Sequence, residues 1–175
     1  GLELDPAAHV TVTSGCTEAL AAAFLGLFEP GDEVILFEPA YDAYPVGCAL
    51  AGVVPRFVTL HAPDFRFDPA ELESAFTERT RAIVVNTPQN PTGHVFDVVE
   101  CTAIAGLVRR SGAIVITDEV YERMVYEGEM VHIAALPGIA PQAPEQTPSR
   151  VMPAEGARDQ LIGRLRIGAD AGVLQ

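Results

Sequence analysis

Short runs that are apolar at nearly every position recur along the chain, at residues 34–38, 81–86 and 113–117, with stretches of helical composition between them. A strand with one face in water alternates polar and apolar residues, so a strand apolar throughout is covered on both sides. Such strands alternating with helices predict an α/β fold: a three-layer sandwich around a mostly parallel sheet. Two further strands are expected at residues 10–13 and 53–60, and helices at 17–28, 41–51 and 97–110. Asp68-Pro69 predicts another helix through Phe76, with Asp68 as the cap and Pro69 in the first helical position. The turns Glu29-Pro30-Gly31-Asp32 and His61-Ala62-Pro63-Asp64 punctuate the pattern.

Composition narrows what such a domain can do. The 175 residues are 49% hydrophobic, enough for one sizeable core, and carry a formal charge of -13. That charge opposes nucleic acid and anionic membrane surfaces, because both are bound chiefly through cations. The longest apolar stretch, residues 19–28, is shorter than the roughly 20 residues that span a bilayer. Cys16, Cys48 and Cys101 form no CxxC pair, so no metal or redox motif is indicated, and the expectation is a cytoplasmic protein with small buried thiols. All eleven basic side chains are arginines, and the absence of lysine removes every chemistry that needs a side-chain primary amine. After residue 137 the composition turns to Pro, Ala, Gln and Glu without a period, which sets residues 138–175 apart as a poorly ordered tail. Its last sixteen residues are left open between a weak strand and a helix.

In a parallel α/β sheet, ligands bind beyond the carboxyl ends of the strands. The first strand delivers Ser14-Gly15-Cys16-Thr17 to the start of a helix, where backbone N–H groups suit a phosphate. Alone this is a weak signal. The second ends in Glu38-Pro39-Ala40-Tyr41-Asp42-Ala43-Tyr44 and offers Tyr41 as a stacking surface. The fourth leads into Asn86-Thr87-Pro88-Gln89-Asn90-Pro91-Thr92-Gly93, a stiff turn that fixes the Asn90 amide. The fifth ends in Asp118, followed by Glu119, Val120 and Tyr121, and a carboxylate closing a buried strand requires a cation or strong donors. His94 is expected on the surface, and Glu18 is explained by the dipole of the helix it starts.

Taken in order, SGCTEAL, PGDEV, EPAYDAY, NTPQNPTG and ITDEVYE resemble the fold-type I pyridoxal-phosphate aminotransferases of class I/II. The resemblance covers roughly residues 5 to 137 and is nearest the branch of kynurenine, methionine and succinyldiaminopimelate aminotransferases. It implies a partial cofactor-binding large domain over residues 1–137, followed by a non-homologous segment at 138–175. It also implies pyridoxal 5'-phosphate as cofactor, amino acids and 2-oxo acids as substrates, and a homodimer. By the same resemblance Gly15, Cys16 and Thr17 meet the phosphate, Tyr41 and Val120 flank the ring, Asn90 and Tyr121 share its phenolic oxygen, and Asp118 pairs with its nitrogen.

The part of the family pattern that carries the Schiff-base lysine has no counterpart, so no catalytic residue is assigned and the chain alone is expected to be inactive. A truncated or frame-shifted product is the expectation. Two alternatives remain: a catalytically silent partner subunit that binds the cofactor, and a fragment of a fold-type I carbon–sulfur lyase.

Overall fold

The computed structural model describes residues 10–137 and Ile139, together with the backbone of residues 165–168 and 173–174. Its strands are β1 (Thr11–Val12), β2 (Glu33–Glu38), β3 (Val54–Thr59), β4 (Thr80–Asn86), β5 (Ile114–Asp118), β6 (Leu165–Gly168) and β7 (Val173–Leu174). They form one sheet in the order β1-β7-β6-β5-β4-β2-β3. The central pairings β3–β2, β2–β4, β4–β5 and β5–β6 are parallel, while β7 runs antiparallel to both β6 and β1.

The alternation of side chains explains why the central strands are apolar throughout. Ile35, Phe37, Ile83, Val85 and Val115 face one side and pack against Leu72, Cys101 and Ile104. Val34, Leu36, Ala82, Val84 and Ile116 face the other and pack against Leu20, Phe24, Tyr44 and Cys48. The helices that cover these faces are α1 (Cys16–Leu27) and α2 (Ala43–Ala51) on the second side, and α3 (Pro69–Ala75) and α4 (Val98–Ser111) on the first. The three-layer α/β sandwich expected from the sequence is therefore observed. No helix among the described residues is long and apolar enough to cross a membrane.

Local chemistry sets the helix ends. The Asp68 carboxylate accepts from the Ala70 N–H at 2.8 Å, with Pro69 opening α3 as expected. At α4, Asp97 and Glu100 form a reciprocal capping box, and Gly112 closes the helix at φ 72. Capping boxes satisfy two orphan backbone donors at once, which is why this helix starts sharply. Observed boundaries lie within two residues of those read from sequence.

Two expectations need correction. His94 is not on the surface: its side chain is 9% exposed, with Nε2 3.0 Å from the Glu100 carboxylate and its ring edge-on to Phe96. The Glu100 carboxylate gives Nε2 a partner and Phe96 packs against the ring, so burial is tolerated. Glu18 does more than meet the helix dipole, since its carboxylate accepts from the Ser14 N–H. The sequence reading of residues 138–175 as a poorly ordered tail lies outside the described residues, apart from Ile139, β6 and β7. Those two strands place β5 inside the sheet, flanked by β4 and β6.

Candidate functional site

The connections out of β2 and β4 depart in opposite directions. From β2 the chain runs through α2 to β3 on one side, and from β4 through α4 to β5 on the other. Such a switch point opens a crevice at the carboxyl ends of the strands. A cavity of about 180 Å3 lies there, lined by residues from the ends of β2, β4 and β5 and the start of α1. Six of the eight residues singled out from the sequence line it: Cys16, Tyr41, Asn90, Asp118, Val120 and Tyr121. Gly15 and Thr17 do not; they flank Cys16 at the mouth of α1.

The start of α1 is open. Gly15 holds φ 86, a conformation that favours glycine, and no side chain caps the helix. A β-carbon at Gly15 would meet nothing within 4 Å, so the glycine serves the backbone turn rather than close packing. Among the described residues no side chain accepts from the first amides of α1, and the helix dipole favours an anion there.

The turn after β4 is stapled to both neighbouring strands. Asn86 donates through Nδ2 to the Asp118 carbonyl at 3.0 Å and accepts the Asn90 N–H at 2.7 Å. Gln89 is buried; it donates to the Pro39 carbonyl at 2.5 Å and accepts from the Thr92 N–H and hydroxyl. These bonds hold Asn90 at the cavity wall between the segment after β2 that carries Tyr41 and the end of β5 at Asp118.

Asp118 is the chemical centre of the cavity. It is 2% exposed, and its carboxylate accepts from the Tyr44 hydroxyl at 2.8 Å, the Cys16 thiol at 3.5 Å and the Val120 N–H at 3.2 Å. All three donors are neutral. Burial, with the Asp118 charge adding to it, pushes the Cys16 thiol up to about 12. The same two causes, in the same order, raise the Tyr44 phenol. Both groups therefore keep their protons and donate them. Among the described residues no arginine or histidine forms an ion pair with Asp118, and burying an ion costs several kcal/mol unless it is compensated.

Sequence reasoning missed Tyr44 and Asn86, which also line the cavity. Asn86 carried the same signal as Asp118, a polar residue ending an apolar strand. Tyr44 sits three residues after Tyr41, one helical turn on, and the two rings meet edge-on with centroids 5.6 Å apart. Cys16 also departs from expectation: Cys48 and Cys101 are buried, while Cys16 is half-buried and turns its sulfur to Asp118.

The sequence profile of the family described as "Aminotransferase class I and II" matches residues 1–154. Kynurenine–oxoglutarate transaminase 1 of Rattus norvegicus is 45% identical over 151 residues, covering 79% of this chain and 36% of that protein. A probable N-succinyldiaminopimelate aminotransferase, DapC, of Mycobacterium tuberculosis is 48% identical over 130 residues, covering 73% of this chain and 32% of that protein. The chain thus spans about a third of the length of these curated relatives. Among solved structures, the N-succinyldiaminopimelate aminotransferase from Mycobacterium tuberculosis superposes with a TM-score of 0.80 at 38% identity, over 96% of this chain and 39% of that one.

Proposed function

The chain belongs to the class I and II aminotransferase family, and on that premise we propose that residues 10–137 form the cofactor-facing part of a site that binds pyridoxal 5'-phosphate for amino-group transfer between an amino acid and a 2-oxo acid. The observation that carries this reading is Asp118, a buried carboxylate held by neutral donors and without a cation partner among the described residues. A protonated pyridine nitrogen supplies that charge.

The rest of the donor set fits the same molecule. The uncapped start of α1, at Gly15, Cys16 and Thr17, suits its phosphate. Tyr41 and Val120, which line the same cavity, are assigned the two faces of its ring. Asn90 and Tyr121, also in that lining, are assigned its phenolic oxygen. When bound, the cofactor supplies an electron sink for the carbanion formed at the substrate's α-carbon, and an ionised Asp118 strengthens that sink by keeping the ring nitrogen protonated. The turn stapled by Asn86 and Gln89 gives Asn90 a fixed position, so binding orders little that is not ordered already.

These 175 residues contain no lysine, so none of their side chains offers an amine to the cofactor's aldehyde. Arginine is no substitute, because its guanidinium stays protonated. The chain by itself is therefore assigned reversible cofactor binding without turnover. Incubating the purified chain with pyridoxal phosphate, reducing with borohydride and mapping peptides tests this. The expected result is saturable binding and no pyridoxyl adduct on any internal peptide. An internal adduct overturns the assignment of non-covalent binding, and absence of saturable binding overturns the cofactor reading itself.

A further inference from the structure

A carboxylate in a dry cavity can share a proton with a ligand nitrogen in two ways. The proton rests on the nitrogen when the carboxylate keeps its charge, and moves to the oxygen when that charge is poorly supported. What decides between them is the set of donors behind the carboxylate, because hydrogen bonds to the charged form favour it. In this chain the donors on Oδ2 are side chains, Tyr44 and Cys16, whereas Oδ1 receives the Val120 N–H.

Tyr44 is the better placed of the two side chains. It is 3% exposed and sits in the first turn of α2, and its ring meets that of Tyr41 edge-on. Its hydroxyl reaches Asp118 across seventy-four residues of sequence, at 2.8 Å. The turn into α2 therefore brings to one cavity both the Tyr41 ring and the donor behind its acid. The thiol of Cys16 is a weaker donor at a longer distance, 3.5 Å.

We infer that Tyr44, assisted by Cys16, is a positioning residue that holds the negative charge on Asp118 and thereby keeps the shared proton on the ligand's ring nitrogen. This rests on the cofactor reading above and adds to it a role for two side chains behind the acid. Neither donor is a cation, so the charge of Asp118 is supported without being cancelled. An arginine in the place of Tyr44 would satisfy the carboxylate and leave it little attraction for a ligand cation.

The test uses the full chain and pyridoxamine 5'-phosphate labelled with 15N at the ring nitrogen, whose resonance separates the protonated from the neutral ring. With the unsubstituted chain the bound resonance is expected at the protonated position. In Tyr44→Phe it should move measurably towards the neutral position, and in Cys16→Ala by a smaller amount, while Cys16→Ser, which retains a donor, should stay with the unsubstituted chain. A Tyr44→Phe resonance that coincides with the unsubstituted chain overturns the inference. If Tyr44→Phe fails to fold, the Cys16→Ala and Cys16→Ser pair decides, and identical resonances in those two overturn it. Failure of the unsubstituted chain to bind overturns the cofactor reading and this inference with it, whereas binding with an unshifted variant overturns the inference alone.

Discussion

Glu33 and Asp118 are both carboxylates sealed into the same sheet, at opposite ends of its strands, and they are supported in different ways. Glu33 opens β2, is 0% exposed, and meets the Thr77 hydroxyl at 2.7 Å, the Arg79 guanidinium at 2.5 Å and Arg56 at 4.0 Å. The Thr77 hydrogen bond, then Arg79 and Arg56, hold its carboxyl below the usual range against the opposing effect of burial. Glu100, buried at the start of α4, likewise has Arg66 and His94. Asp118 closes β5 and, among the described residues, has hydroxyl, thiol and amide donors only. A carboxylate that serves the fold brings its own cation. One that is buried, fixed and left without a cation is directed at something that arrives later.

Breaking the ligand end should have the largest effect. Asp118→Asn keeps the shape and removes the charge, and is expected to weaken pyridoxamine 5'-phosphate binding by about 100-fold, the scale of losing a charge-assisted hydrogen bond in a dry site. Stability of the unliganded chain should hold or rise, because a buried charge with no cation partner among the described residues has been removed while the amide oxygen still accepts. Calorimetric titration and urea unfolding read the two effects separately, and a large loss of stability with unchanged affinity would reverse the contrast drawn here.

The opposite end should respond in the other currency, and more weakly. Arg79→Ala is expected to lower unfolding free energy by about 1 kcal/mol, since the arginine is largely exposed and water screens the pair. Cofactor affinity should be unchanged. Because the folded carboxyl of Glu33 titrates below its ordinary value of 4.5, its contribution is complete above that value and disappears as pH falls through the lowered one. The difference between Arg79→Ala and the unsubstituted chain should therefore shrink on acidification, which urea unfolding across a pH series measures.

Much of this was legible in the residues because the chain is locally consistent. The strands of residues 34–38 and 81–86 had to be covered on both faces, and Asp68-Pro69 and Gly112 mark helix ends that the structure uses. Asp118 was legible for the same reason: a charge at the end of an apolar strand needs a partner. The protein donors behind it were not. Tyr44 lies 74 positions away, and only the packing of α2 against the sheet brings its hydroxyl to the carboxylate. His94 was misplaced although its partners Phe96 and Glu100 lie only two and six residues on, because it is the bend of the chain into α4 that folds them onto its ring. Gln89 fixes the Asn90 turn through a carbonyl fifty residues earlier, which is equally invisible along the chain.

The central claim is that Asp118 draws its counter-charge from the ligand's ring nitrogen. It is tested most directly by titrating the full chain with pyridoxamine 5'-phosphate and with its isostere in which that nitrogen is replaced by carbon. The account predicts that the isostere binds about 100-fold more weakly, the scale expected for one lost charge-assisted hydrogen bond. Equal affinities for the two molecules would contradict it.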